Sequence, residues 1–588
     1  MSSARMLSEL NASKSSGGGY GADDRTTPAP DGHTVAVLGV ILLLAGALRL
    51  WGLRFGLPHD FSRPDEEKIV GAALGVLQGD FNPHMFLYPS LFIYANAVVY
   101  WLLFVVERAV GLTASRADFV ASAASDPTVF HFAARLVAAA CGTATVVVLY
   151  AAARELFPLR IALVASAALA VVFLHVRDSH FGVTDVPVTL LVVTAWWSAV
   201  RCMTRGLTYQ RIAVTGVLCG LAASTKYNAA LVVLPATIGI VSQIPGAGPI
   251  SVRKMARKMA AAVLVLYACA GAAFLLGTPY SLLDRTAFLA EVDAQRLTAA
   301  GLRHGTVLDP ARLVIGERGW THHLTFSLRF GVGLPLLVAS LAGAAWMAIE
   351  GPFVAWLVVF SFPLVFYAAM GSSLLVYPRW VVPVVPFLCL TAAFAIDRVG
   401  TRLSAAAARV VRGWSSEAVK SAVVVGLTLL VIAPTAARAV AFDRLVSRTD
   451  TRVRAAEWIK GRFPQGASIY QTGMLYGFVE PRPQVRYPGY TFNERHGAFA
   501  PENGEGRDRP DLIIVQQSPL VIFSRVPTGL DPILGSDYAP IASFKGRSDV
   551  AVGPPPVYDQ QDAFYVPYAN FASVSRPGPD IQIYERIK

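Results

Sequence analysis

The run Arg63-Pro64-Asp65-Glu66-Glu67-Lys68 sets three carboxylates side by side shortly after the first long apolar stretch of the chain ends. A carboxylate held at a membrane edge can take the proton of an attacking hydroxyl, which is general-base chemistry. The same residues can also form the first turn of a helix after Pro64, where acidic side chains complement the helix dipole and need no further role. A second polar group begins at Arg177, Asp178 and His180 and ends at Asp185, just before Val186-Pro187 opens another apolar run. Asp185 fits a helix N-cap. Yet so dense a polar group at one membrane boundary lines a site more often than it decorates a surface.

Two isolated cations complete the set. Lys226, in Ser224-Thr225-Lys226-Tyr227-Asn228, is the only formal charge between Arg211 and Arg253. It can snorkel to the interface, or it can bind a lipid phosphate between two helices. Arg379 follows Pro378 at the start of an apolar run and is flanked by Tyr377 and Trp380. That is an interfacial arginine in an aromatic belt, and equally a guanidinium placed to hold phosphate with two hydrogen bonds. His322-His323 precede a further apolar run, but adjacent histidines with no carboxylate at ligand spacing argue against a metal centre.

Membrane helices must position these groups. Of the 588 residues, 54% are hydrophobic and 15% charged, and runs of about 17–23 apolar residues recur, each able to cross about 30 Å of hydrocarbon. The expected crossings lie near 34–53, 130–153, 159–176, 186–203, 209–224, 228–243, 259–279, 331–350, 353–370, 380–397 and 421–441. Basic residues gather in four loops, at Arg154 and Arg160, at Arg201, Arg205 and Arg211, at Arg253 to Lys258, and at Arg398 to Lys420. All four can be cytoplasmic together. Asp65, Asp185, Lys226, Arg379 and everything after 441 then share the outer side. Because 89–111 is apolar enough to span, either the N-terminus lies outside or 89–111 lies along or dips into the interface; the second reading suits its Tyr94, Tyr100 and Trp101.

The net charge of +12 is accounted for by the loop clusters, so it gives no reason to expect nucleic acid. The five cysteines lie in or beside apolar segments with no CxxC spacing, which argues against disulfides, structural zinc and a thiol nucleophile. Residues 1–33 read as a disordered cytoplasmic tail. After 442 the composition changes: Val453, Ala456, Trp458, Ile459 and Phe463 share a helix face, and short strand-like runs such as Asp511-Leu512-Ile513-Ile514-Val515 follow. The expected organisation is an all-α multispan membrane domain of about 11 helices over 34–442, then a small extracytoplasmic α/β domain over 443–588.

Taken in order, these stretches resemble the GT-C superfamily of integral membrane glycosyltransferases, and within it the dolichyl-phosphate-mannose protein O-mannosyltransferases and the bacterial lipid A aminoarabinose transferases. Arg63-Pro64-Asp65-Glu66-Glu67-Lys68-Ile69 is similar to their acidic first outer loop, and Tyr88-Pro89-Ser90 to the proline-aromatic segment after it. The run 131–157 resembles their Arg-led second span, 177–191 their second acidic loop, 220–231 their lysine segment and 377–388 their Arg-Tyr-Leu-Pro-like segment. Trp380 departs from the pattern, standing where a tyrosine is usual, and no added β-trefoil is visible.

The resemblance implies a multi-pass bacterial inner-membrane protein with its site and C-terminal domain facing the periplasm. It implies inverting transfer of a sugar from a polyprenyl-phosphate donor to an acceptor hydroxyl on a lipid, glycan or protein. Asp65 is then the general base, Glu66 its positioning neighbour and Asp185 a second acidic contact. Lys226 and Arg379 hold the leaving phosphate, with Arg177, His180 and Tyr377 as further substrate contacts. Members differ in whether they use a divalent metal ion, and these residues require none. A lipid-linked sugar flippase also places charges at span ends, and a non-catalytic polysaccharide-assembly subunit is a third reading. Inverted repeats and mid-span polar residues, which transporters favour, are not evident.

Overall fold

The computed structural model describes residues 31–243, 251–300, 302–303, 306–307, 319–407 and 416–587, apart from 503, 505, 549, 551 and 552. Residues 1–30 of the expected disordered tail, and Arg409 and Arg412, lie outside the described residues. Among the described residues, eight helices are long and apolar enough to cross a membrane. The bent pair Gly319–Gly331 and Leu334–Glu350, which turns through 119°, makes a ninth if counted as one span. This is a multi-pass membrane protein.

The expected count of about eleven differs because three of the helices are short. Leu159–Val171 has 13 residues, Tyr209–Ala223 has 15, and Tyr227–Val241 joins a 3-10 turn to a 9-residue helix. Thirteen residues rise about 20 Å, against roughly 30 Å of hydrocarbon. The first of the three breaks at Val172, whose extended backbone (φ −63°, ψ 121°) separates it from Phe173–Asp178. A break inside a bilayer strands backbone groups that must find partners. Arg49 of the first span supplies them, donating to the carbonyls of Leu169 (3.1 Å) and Ala170 (2.9 Å), while Phe173 N–H donates to the Thr435 hydroxyl (2.9 Å). The break lets the chain turn so that Arg177 and Asp178 enter the interior instead of leaving at the surface.

Helix Tyr209–Ala223 lies against Val252–Gly277 at very close range. A Cβ at Gly216 or Gly220 would collide with the carbonyls of Leu266 or Ala270. Small residues four apart allow this approach, the usual basis of helix association in lipid. The contact fixes the turn in which Lys226 sits, its backbone extended (φ −154°, ψ 124°) between two helices.

The basic loops lie together on one face. Arg160 pairs with Asp397 (3.3 Å), Arg205 with Glu155 (2.7 Å) and Arg398 with Glu350 (3.3 Å). The acidic loops lie on the other. Helix Leu91–Ala109 passes the length and hydropathy requirement for a span, yet both of its ends are tied to the acidic face. Leu91 N–H donates to the Ser224 carbonyl (3.1 Å), and the helix after it, Arg116–Ser125, accepts at Ala124 O from Arg482 of the C-terminal region (2.7 Å). Its exposed Val98, Trp101, Leu102, Val105 and Val106 form an apolar face that suits lipid at the interface.

After helix Ser416–Val446 comes helix Thr451–Arg462, then strands β1 (Ile469–Gln471), β2 (Gly489–Asn493), β3 (Ala498–Pro501), β4 (Leu512–Gln517), β5 (Tyr538–Phe544) and β6 (Asp580–Arg586). They form one six-stranded sheet in the order β3-β2-β1-β4-β6-β5, parallel across β2-β1-β4 and antiparallel elsewhere. Helix Thr451–Arg462 buries Ala455 and Ile459 against Leu512, Ile514 and Ile583, while Tyr470, Ile513 and Val515 form a second core on the opposite face. Between β5 and β6 the chain leaves the sheet. Phe564, Tyr565 and Tyr568 of this excursion join the core of the membrane helices.

Candidate active site

Asp65 stands at the head of the acidic run, with Glu66 and Glu67 in the first turn of the helix that follows. It precedes helix Glu66–Gln78 but makes no side-chain cap bond to it. Its backbone is left-handed (φ 75°, ψ −16°), a conformation that costs free energy for a residue with a Cβ and that Asp and Asn tolerate best. Strain of this kind concentrates at functional sites. The turn aims the carboxylate inward, where Oδ2 accepts from the Tyr88 hydroxyl (3.0 Å) and from Arg379 Nη2 (3.1 Å), and Oδ1 accepts from Lys68 Nζ (3.0 Å). Burial alone would raise its pKa, but Arg379 and Lys68 outweigh that and hold it at about 2.

Glu66 takes a different part. It is 1% exposed and receives Arg135 Nε (3.0 Å to Oε1) and Nη2 (2.7 Å to Oε2), with Gly182 N–H also donating to Oε1 (2.7 Å). Burial opposes the charge, and Arg135 and His131 overcome it, so the carboxyl sits at about 2. Arg135 in turn donates to the carbonyls of Leu53 (3.1 Å) and Phe55 (2.7 Å). With every strong acceptor direction occupied, Glu66 staples the acidic loop to helix Thr128–Leu156 and to the Asp178–Asp185 turn. It positions Asp65.

Glu67 faces the C-terminal region and accepts from the Tyr476 hydroxyl (3.2 Å). Burial and the neighbouring Asp65 charge push it up to about 7. Folding therefore favours its protonated form: its contribution is fully present below the ordinary value of 4.5 and is lost as pH rises towards about 7. Glu67→Gln keeps the Tyr476 bond and removes the titration. The variant should match the wild type at pH 4.5 and be more stable at pH 8, by up to about 3 kcal/mol for 2.5 pKa units at 1.36 kcal/mol each. Thermal unfolding across that range checks this, and parallel curves would contradict it.

Asp185 opens helix Asp185–Thr204 with its side chain buried, and Lys226 Nζ donates to Oδ1 at 2.5 Å. Arg379 projects from the 3-10 turn Pro378–Val384, its guanidinium 4.1 Å from the centre of the Tyr377 ring. Arg177 pairs with Asp178 (3.3 Å) and lies 4.2 Å over the Tyr568 ring. Burial raises Asp178 to about 6 against the pull of Arg177, and it also feels Asp185, Arg63 and Arg379. These groups thus form one electrostatic cluster at one end of several helices. His180 is turned away from it. Its Nδ1 lies 2.9 Å from the Val176 carbonyl and Nε2 3.0 Å from that of Trp51, with the ring edge-on to Phe442. It braces the exit of the first span.

Sequence reasoning missed what closes the cluster. Asp562, from the excursion between β5 and β6, places Oδ1 2.8 Å from Arg63 Nη1 and Oδ2 3.1 Å from Arg379 Nη1. Gln561 accepts from Val376 N–H (2.9 Å), and Phe564 packs edge-on against Phe55 and Phe181. Asp559 lies beside Asp562, and burial together with the Asp562 charge pushes its carboxyl above the ordinary range. The one signal in the sequence was the pair of carboxylates in Tyr558-Asp559-Gln560-Gln561-Asp562-Ala563-Phe564-Tyr565, set among aromatic side chains. Among the described residues, no three His, Cys, Asp or Glu side chains converge in a way that could hold a metal ion.

Residues 128–275 match the family model described as dolichyl-phosphate-mannose-protein mannosyltransferase. No curated protein matches the chain. Among solved structures, the apo oligosaccharyltransferase of Archaeoglobus fulgidus is similar over 94% of this chain and 88% of that one, at 13% identity and a TM-score of 0.51. ArnT from Cupriavidus metallidurans bound to undecaprenyl phosphate is similar over 95% of this chain and 98% of that one, at 15% identity and a TM-score of 0.50. Against the A. fulgidus oligosaccharyltransferase AglB in complex with an inhibitory peptide and a dolichol-phosphate, the chain spans 60% of that protein's length, at 14% identity and a TM-score of 0.47, covering 77% of this chain. The likeness to the apo oligosaccharyltransferase and to ArnT is one of fold, and residues 128–275 carry in addition the match to the mannosyltransferase family model.

Proposed function

We propose that the protein transfers a sugar from a polyprenyl-phosphate donor to a hydroxyl of an extracytoplasmic acceptor, with inversion at the anomeric carbon. The observation that carries this reading is the pairing of Asp65 with Arg379. A sugar hydroxyl is too weak an acid to attack unaided, and a carboxylate at the anomeric carbon removes its proton, contributing about 10²–10⁴-fold. A carboxyl held at about 2 by a guanidinium is a poor base. A donor phosphate that takes Arg379 removes that counter-ion, and the pKa of Asp65 then rises when the donor is in place. Base strength is coupled to donor binding. Arg379 and Lys226 offset the charge that develops on the departing phosphate, the usual role of fixed cations in such a site.

The outward-facing assignment rests on the basic loops gathered on the opposite face, and a bacterial inner membrane with the site towards the periplasm fits it. ArnT from C. metallidurans, of similar fold, was solved with undecaprenyl phosphate, which supports a ligand of the same kind here. Sugar and acceptor are left open by this chemistry. Arg379→Gln and Lys226→Gln should each weaken undecaprenyl phosphate binding by about 10–150-fold, the equivalent of one charge-assisted contact at roughly 1.5–3 kcal/mol. Binding to the purified protein in micelles checks this. Unchanged affinity in both variants would remove the two cations from the site.

A further inference from the structure

The cluster around Asp65 is closed. Asp65 is 8% exposed, Arg379 6% and Asp185 1%, although a site for a lipid-linked donor must admit a phosphate. What closes it is the C-terminal excursion, and its contact is specific. The Asp562 carboxylate spans two guanidiniums, one oxygen to each. Both guanidiniums have capacity to spare: Arg63 is fully buried, yet its Nε and Nη2 have no hydrogen-bond partner, and Arg379 Nη1 makes only the ion pair. Two buried guanidiniums with unused donors suit an anion with more oxygens than a carboxylate has, and guanidinium–phosphate pairing has that geometry. Aromatic rings hold the Arg63 guanidinium where it is, with the centre of Phe181 at 4.6 Å and of Phe564 at 5.4 Å.

We propose that Arg63 and Arg379 form a two-guanidinium phosphate seat, that Asp562 occupies it in the donor-free protein, and that the phosphate of a polyprenyl-phosphate donor displaces Asp562 on binding. This rests on the donor reading above and extends it to Arg63 and to the C-terminal region. Asp562 and Asp65 together already balance the two arginines, so a phosphate added beside them would meet an uncompensated like charge; exchange with Asp562 avoids this. The exchange also opens the site, because Gln561 and Phe564 leave with Asp562. The C-terminal region thereby controls access to Asp65.

The test uses the full chain in detergent micelles with undecaprenyl phosphate as probe. Asp562→Asn removes the competing charge and should tighten binding by tenfold or more, and Arg63→Gln should weaken it by tenfold or more in both the wild-type and the Asp562→Asn backgrounds. In the wild-type protein, saturation with the lipid should increase amide hydrogen exchange over 559–566, a measurement that needs no variant to fold. Inorganic phosphate is the second probe: exchange raised by both ligands means the seat reads the phosphate alone, and exchange raised by the lipid only means it needs the chain as well, either result supporting the seat. Equal or weaker binding by Asp562→Asn, or unchanged exchange over 559–566 at saturation, overturns the proposal. If Arg379→Gln abolishes binding while Asp562→Asn has no effect, the donor reading stands and the displacement fails. If no form of the protein binds the lipid, the donor reading fails and the displacement with it.

Discussion

Asp65→Asn should lower the rate of sugar transfer by at least about 10²-fold without weakening donor binding, since the charge it removes is one that competes for Arg379. Asparagine is the informative replacement because it tolerates the left-handed backbone that residue 65 adopts (φ 75°), and its amide can keep one of the contacts to Tyr88 and Arg379. What it loses is the ability to accept the hydroxyl proton in the transition state, so the effect falls on turnover. Single-turnover transfer measured beside equilibrium donor binding separates the two. A loss of affinity with turnover preserved would make Asp65 a binding residue instead of the base.

The second large effect is on stability. Arg135 and Glu66 are 0% and 1% exposed and joined by three hydrogen bonds between them. Arg135 also satisfies the Leu53 and Phe55 carbonyls and stacks 3.8 Å from the centre of the Phe55 ring. Arg135→Gln leaves a buried carboxylate without its counter-ion, which typically costs about 3–5 kcal/mol. The double variant Arg135→Gln with Glu66→Gln restores neutrality and should recover a substantial part of that, a coupling that a double-mutant cycle of thermal unfolding reads directly. Strict additivity of the two single changes would show that the pair does not act as a unit.

Much of this site was legible in the sequence because its parts lie at the ends of apolar runs, where a charge stands out. Asp65, Asp185, Lys226 and Arg379 were singled out in this way, and the structure brings them to one face. Arg135 and Glu66 were harder to rank. A helix-borne arginine and the middle member of an acidic run have no local sign of being buried together, and only the packing of Thr128–Leu156 against the acidic loop joins them. His180 looked like a site residue because it shares a polar loop with Arg177, but the break at Val172 rotates it towards Trp51 and Val176. Asp562 left only a faint signal, for another reason. It lies 499 residues from Arg63, in an irregular segment without helix or strand periodicity, and its role exists only through tertiary contact. The number of long helices fell below the expected number of crossings where Val172 and Lys226 interrupt apolar runs, because hydropathy registers the run and not the break.

In the proposed reaction the cluster around Asp65 cleaves the bond between sugar and polyprenyl phosphate and passes the sugar to a hydroxyl. The most direct measurement incubates the purified protein in proteoliposomes with the total lipid-linked sugars and acceptor material extracted from the envelope of the source cells, and follows free polyprenyl phosphate by mass spectrometry. The wild-type protein should release it in a time-dependent way, matched by appearance of the sugar on an acceptor hydroxyl, and Asp65→Asn should release it at least about 10²-fold more slowly. Equal release by both proteins, or none by the wild type, would contradict the proposed reaction.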